Sequence, residues 1–418
     1  MSFALHPSPA GYAPPGAARP GVRYETVLSF LVFVWLSTSS ISFIEPSPYD
    51  FLSLVAIPAW FFGGVRVHRS AIFILLLWTI YNVLGVAAVL PYWHEPDPRI
   101  YQLQSVYLFV TVVVFTLYFS ERAETRYDIA MSGFAVSAVF ASMVGIIGYL
   151  DIAGLGEYTT RYEGRVSGTF KDPNVLGSFM ILPISFLYSK LVLGNTKRPL
   201  LNAIALLICL VGLFLSFSRG AWAASILAMG TVTIFAFLAA QNSAQRARVV
   251  YVVLSGLAAV VVGLAAILAD TETRELLLLR ASATQDYDVG ETGRFGNQMR
   301  AVRELLGEPF GYGPLRLRLT FGLDPHNSYI GAFANYGWIG GFLWLVICGS
   351  TMFVGFRMMV VKSPFRLLAI GATPGLFALL AQGMQIDVDH WRFLFLGFGA
   401  VWGLEIARQR WLTSQPAR

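Results

Sequence analysis

NSYIGAFANYGWIGGFLWLVICGSTMFVGF, residues 327–356, runs for thirty positions without an Asp, Glu, Lys, Arg or His. A helix that crosses a bilayer needs about 20 mostly apolar residues, so this run predicts a span that begins or ends outside the hydrocarbon core. Eleven other apolar runs accompany it: Val27–Ile44, Tyr49–Gly64, Ser70–Leu90, Ile100–Phe119, Ile129–Leu150, Pro173–Leu193, Leu200–Phe217, Gly220–Ala240, Val249–Ala269, Phe365–Met384 and Trp391–Ile406. The reading is an all-α integral membrane protein of about twelve transmembrane helices. Composition agrees: 56% of the 418 residues are hydrophobic and 13% charged, where soluble domains carry about 25% charge. Cys209 and Cys348 both sit inside apolar runs, which leaves no disulfide framework for the loops.

Orientation follows from the basic residues of the loops. With the N-terminus in the cytoplasm, the inner segments hold seventeen basic against five acidic residues, and the outer segments thirteen against nineteen. Both termini are therefore placed inside, and this asymmetry across a membrane, not nucleic acid, accounts for the pI of 9.3. Residues 1–22, rich in Pro, Gly and Ala, read as a disordered cytoplasmic tail that is not a signal peptide. Residues 23–269 hold the first nine spans and 326–410 the last three, in a single membrane domain. Between them the outer segment 270–325 is far longer than a connecting turn, and loops of that length are commonly functional. Within it Phe295, Met299, Val302 and Leu306 recur at helical spacing before Gly307 and Pro309, which predicts an amphipathic helix over Arg294–Leu306 on the outer surface.

No ionisable residue falls in the middle of a span; Arg219, Arg392 and Glu405 stand at span ends. Ion-coupled transporters place such groups near the midplane, so a glycan flippase or other transporter is the weaker reading, and a non-catalytic component of an export complex a third. The functional groups gather at the outer mouth instead. RVSGTFKDPN, residues 165–174, brings Arg165, Lys171 and Asn174 to the start of the sixth span. FSRG, residues 217–220, puts Arg219 in a tight turn, and DPHN, residues 324–327, sets His326 and Asn327 at the start of the tenth. An arginine fork donates paired hydrogen bonds to phosphate oxygens and does not deprotonate, although 26 Arg against 4 Lys shows the whole chain to be arginine-rich. At a helix start the dipole favours neutral His326, as a general base requires. Equally, the segment is a helix cap built on Asp324 or Asn327. DVDH, residues 387–390, resembles a short metal-binding cluster, but no HExxH, CxxC pair or phosphate-binding loop supports a metal or nucleotide cofactor.

These motifs resemble the O-antigen ligase family. His326-Asn327, nine residues, then Gly337-Trp-Ile-Gly340 resembles its HN-x9-GxxG signature. Arg165 to Asn174, Ser218-Arg219-Gly220 and Thr292-Gly-Arg294 resemble further family segments in the same order, from about Arg161 to Gly341. The resemblance implies a GT-C-like membrane glycosyltransferase, metal-independent and inverting, at the periplasmic face of a bacterial inner membrane. Its donor would be a glycan on undecaprenyl pyrophosphate, its acceptor a growing glycan or lipid A–core. Membrane lipids and other polysaccharide assembly proteins would be its neighbours. Arg219 and Arg294 correspond to the arginines that hold the leaving pyrophosphate, and His326 to the histidine that helps activate the acceptor hydroxyl. Arg165, Lys171, Asn174, Arg300, Arg303, Asn327, Asp389, His390 and Arg392 complete the candidate substrate-binding set. Arg161 and Gly177 also fit the RX15G-like pattern of the related polymerases, so ligase and polymerase both stand.

Overall fold

The computed structural model describes residues 22–415 apart from 163, 270, 272, 273, 276, 278–289, 291, 292, 323 and 325. The expected tail over 1–21, most of 270–292 and the motif residue Thr292 lie outside the described residues. Each of the twelve apolar runs contains a helix, and the bounds move for physical reasons. Helix α1 spans Val22–Ser37 and stops short of Ile44, because Ser37, Thr38 and Ser39 turn their hydroxyls onto the carbonyls of Phe33, Trp35 and Leu36 at 2.7–2.8 Å. Such local bonds compete with the helical ladder. Helix α2 spans Pro48–Phe62, α3 Ile72–Val89, α4 Pro96–Phe119 and α5 Ala123–Tyr149.

A loop follows, with α6 over Gly156–Thr159 and a two-stranded hairpin of β1 (Thr160–Arg161) and β2 (Arg165–Val166), Arg161 opposite Arg165. The sixth run forms α7 (Pro173–Phe179) and α8 (Ile181–Leu193). The break at Met180 comes just before Pro183, whose ring leaves the Phe179 carbonyl without its helical donor. Next come α9 (Pro199–Leu215), α10 (Arg219–Ala239) and α11 (Ser243–Ala269). Further along come α12 (Arg294–Leu305) and α13 (Leu317–Phe321), within the long segment 270–325, and then α14 (Ser328–Val360), α15 (Arg366–Gln382) and α16 (Arg392–Ser414).

Among the described residues seven helices are long and apolar enough to cross a membrane: those over Arg69–Tyr92, Pro96–Phe119, Ala123–Tyr149, Pro173–Leu193, Arg219–Ala239, Ser243–Gly263 and Ser328–Val360. Four shorter apolar helices are α1, α2, α9 and α15. Helices α8, α15 and α16 form the interior. Helix α8 packs on α9, α10 and α15, and α16 runs along α4. Aromatic side chains fill the space around them, with Trp78 against Trp344 and Phe398. Cys209 and Cys348 are free and buried.

At 33 residues α14 would measure about 50 Å, well beyond the roughly 30 Å of hydrocarbon. It is broken at Gly337, whose φ is +68°. The loop 309–312 enters that break. Trp338 donates its backbone N–H to Pro309 O at 2.9 Å, and Tyr312 donates to Ala334 O at 2.7 Å. A Cβ on Gly337 would stand 2.5 Å from Pro309 O, and one on Gly311 2.6 Å from Ala334 O. The expected GxxG signature thus carries a close backbone crossing that only glycine permits.

Candidate active site

Residues 383–388, between α15 and α16, join the candidate groups. Ser328 N donates to Gly383 O at 2.9 Å and Val388 N donates to Ser328 Oγ at 2.7 Å. Asn327 Nδ2 donates to Met384 O at 2.9 Å. On the other side of the loop, a Cβ on Gly220 would meet Gln385 Oε1 at 3.4 Å and Gln382 Nε2 at 3.5 Å. The Arg219 turn therefore abuts the segment that the start of α14 holds. Helix α12 closes the cluster: Gln298 Nε2 donates to His326 O at 3.2 Å and to Met384 O at 3.4 Å. Arg294 lies one helical turn before Gln298, on the same face, and its charge acts on His326.

His326 takes φ +48°, a left-handed conformation that costs a non-glycine residue of order 1–3 kcal/mol. Its Nδ1 lies 3.1 Å from Asp387 Oδ2. The hydrogen bond to Asp387 raises the His326 pKa above its ordinary value, against the lowering effects of burial and of Arg294. This effect runs against that of the helix dipole. A full carboxylate at hydrogen-bonding distance outweighs the partial charge of a helix terminus. The capping role belongs to Asn327, whose Oδ1 accepts from Tyr329 N and Ile330 N at 3.0 and 3.1 Å. Its Nδ2 serves Met384 O and Gln298 Oε1. With both ends of its amide engaged, Asn327 holds the start of α14 to residue 384 and to α12.

The Arg219 turn has a second left-handed residue, Phe217 at φ +47°. Trp222 lies flat on Phe214, ring centroids 5.3 Å apart, and donates Nε1 to Leu213 O at 3.1 Å. Arg165 is buried and donates Nε to Ser216 O at 3.0 Å and Nη2 to Asn174 Oδ1 at 2.9 Å. Both expected ligand contacts, Arg165 and Asn174, thus serve the backbone that carries Arg219.

Other candidates have different partners. Lys171 pairs with Glu45 at 2.8 Å on an exposed surface. Arg392 donates to Asp50 Oδ2 at 2.8 Å and Ser47 Oγ at 2.7 Å, which ties α16 to the capped start of α2. Arg300 stacks over Phe321 at 5.0 Å, and Arg303 is exposed. The two aspartates of the DVDH segment part company. Asp387 faces His326, whereas Asp389 accepts from Tyr101 Oη at 2.7 Å and pairs with His390 Nδ1 at 3.0 Å. His390 Nε2 in turn meets Ser105 Oγ at 2.8 Å. Burial alone would raise the Asp389 carboxyl, but the bonds to His390 and Tyr101 hold it below the usual value. This network clamps the loop against α4.

Asp387 and Gln298 are the groups that reading the sequence for site residues passed over. Asp387 was visible only as half of a DxD pair, and nothing in its spacing points to a partner 61 positions earlier.

Residues 204–345 match the family model of the O-antigen ligases. That stretch contains Arg219, Arg294, His326 and Gly337–Gly340, so the motif resemblance and the match coincide on the cluster just described. The match supports the O-antigen ligase/polymerase superfamily and a glycan-transfer role of ligase or polymerase type. With its apolar helices it marks the chain as an integral membrane protein. No curated protein sequence matches the chain.

Proposed function

We propose that the protein transfers an undecaprenyl-pyrophosphate-linked glycan to an acceptor hydroxyl at the periplasmic face of the inner membrane, in a bundle of twelve spans. The observation that carries the reading is the gathering of Arg294, His326, Asp387 and the Arg219 turn around residues 383–388. A glycosyl pyrophosphate is already activated, so the site must stabilise the extra negative charge that turns the pyrophosphate dianion into a departing trianion, and receive a proton. Asp387 engages Nδ1 of His326, which leaves Nε2 to take the proton of the acceptor hydroxyl. The acceptor oxygen bonds to the anomeric carbon as the bond from that carbon to the pyrophosphate oxygen breaks. Undecaprenyl pyrophosphate leaves with the electron pair, its charge met by Arg219 and Arg294. The imidazolium, stabilised by Asp387, returns its proton to water.

The test is His326→Asn in reconstituted protein. Asn enters the left-handed region more readily than most residues, so the φ of +48° is preserved, while an amide is no base. Transfer should fall at least about a hundredfold, with the lipid-linked donor still bound and thermal stability unchanged. A variant that made product at the wild-type rate would remove His326 from the chemistry.

A further inference from the structure

Helix α12 carries an apolar stripe that the bundle does not cover. Phe295, Met299, Val302 and Leu306 are 56%, 58%, 43% and 69% exposed, and Phe310 just beyond is 89% exposed. At about 100° per residue these four lie on one side of the helix. Gln298, Ala301 and Leu305 lie next to them on the face against the protein, where Ala301 and Leu305 are buried. Glu304 projects from the side opposite the stripe and Arg303 flanks it. The helix thus has an apolar side, a protein side and a water side.

The depth of this stripe can be read from α14. Arg357 pairs with Glu405 at 2.6 Å, a charged pair that marks one face of the membrane. From Trp338 to Arg357 the helix rises about 29 Å, matching the roughly 30 Å of hydrocarbon. Trp338 therefore stands at the opposite interface, the depth at which tryptophans gather. Its indole Nε1 donates to Leu305 O at 2.8 Å, and its backbone N–H to Pro309 O at 2.9 Å. The end of α12 and Phe310 are thereby held at interfacial depth. They continue the lipid-facing surface of α14, where Ile339 and Phe342 are exposed.

We propose that Val302, Leu306 and Phe310 are inserted among the phospholipids of the periplasmic leaflet, with Arg303 at the level of the lipid phosphates. An amphipathic helix binds an interface in this way. The anchor fixes α12 from one side while Gln298 holds His326 from the other, so leaflet lipid helps to set Arg294 at the site; this last step, and the choice of the periplasmic leaflet, rest on the proposed function.

The experiment places single spin labels at Val302→Cys, Phe310→Cys and Glu304→Cys in protein reconstituted into phosphatidylethanolamine and phosphatidylglycerol vesicles. The native thiols are buried. Labels at 302 and 310 should relax with lipid-soluble oxygen and be shielded from a water-soluble nickel chelate, with the reverse at 304. Nickel access at 302 and 310 equal to that at 304 would overturn the proposal. So would shielding from both reagents, which would show a protein partner over the stripe. Without any label, an acyl-chain diazirine phospholipid should cross-link the wild-type chain within 302–310, and cross-linking confined to the spans would count against insertion. Phe310→Glu should lower transfer about tenfold, as expected when one anchoring ring leaves hydrocarbon, whereas Phe310→Trp should not. Because labelling and cross-linking do not depend on catalysis, a failed transfer assay leaves their outcome standing.

Discussion

Asp387→Asn keeps the shape of the side chain beside His326 and removes its charge. The carboxylate lies 3.1 Å from Nδ1 of His326, and its hydrogen bond is the main cause of the raised imidazole pKa. A hydrogen bond to a charged group contributes about 1.5–3 kcal/mol. The two side chains are 48% and 39% exposed, and solvent screening puts the pair at the lower end of that range or below. Since 1.36 kcal/mol is tenfold in rate, kcat/KM should fall about tenfold. His326→Ala should cost about a hundredfold or more, because general acid–base catalysis contributes roughly 10²–10⁴. The pH profile carries a sign. A base works only when unprotonated, so transfer should rise with pH along a limb above the ordinary histidine value of 6.5. In the Asn variant that limb moves to lower pH, as the group that favours the imidazolium is gone. The assay is a purified protein in proteoliposomes, with lipid-linked donor and acceptor, followed by gel mobility of the product across neutral pH. In a His326→Ala background Asp387→Asn should do nothing further. An undiminished tenfold effect there, or a limb that stays in place, would show that Asp387 acts on the substrate and not through His326.

Arg219→Lys should be nearly as damaging to transfer as Arg219→Ala, since a point charge does not replace a two-pronged donor; full activity of the Lys variant would leave Arg219 only a general positive charge. Gly337→Ala should lower the thermal midpoint in detergent, by a cost of order 1–3 kcal/mol, because a Cβ there would stand 2.5 Å from Pro309 O at a φ of +68°; an unchanged midpoint would mean that the crossing is not tight. For orientation, Glu157, in the loop after α5, and Gln241, between α10 and α11, are both exposed and suit single cysteines. In cells with only the outer membrane permeabilised, a membrane-impermeant thiol reagent should label position 157 and not 241, and labelling of 241 without lysis would invert the topology.

The apolar run at 327–356 was legible as a helix because nothing in it resists one. What could not be read was its division at Gly337, since one glycine among several small residues looks like ordinary span packing. The break appears only with the loop 309–312 that fills it, and that pairing depends on backbone groups, which every sequence has. The stripe of α12 was legible by its period, but period gives a face and not what covers it.

Arg219, Arg294 and His326 stood out because short motifs fix them beside helix starts. Arg392 looked equivalent, a guanidinium at a span end facing the same mouth. What separates it from Arg219 is Asp50, 342 positions earlier, which accepts from its Nη2 at 2.8 Å. Lys171 is likewise met by Glu45 across 126 positions. Spacing along the chain carries no information about such ion pairs, because helices order themselves by packing and not by sequence distance. The same blindness hid Asp387, a distant carboxylate that folding sets against an imidazole in a left-handed turn. Whether a cation or imidazole at the mouth of a bundle is structural or chemical thus turns on the identity and exposure of the group that folding sets beside it. Arg392 ties two helices together with its carboxylate partner, while the pair of His326 and Asp387 stays half-exposed.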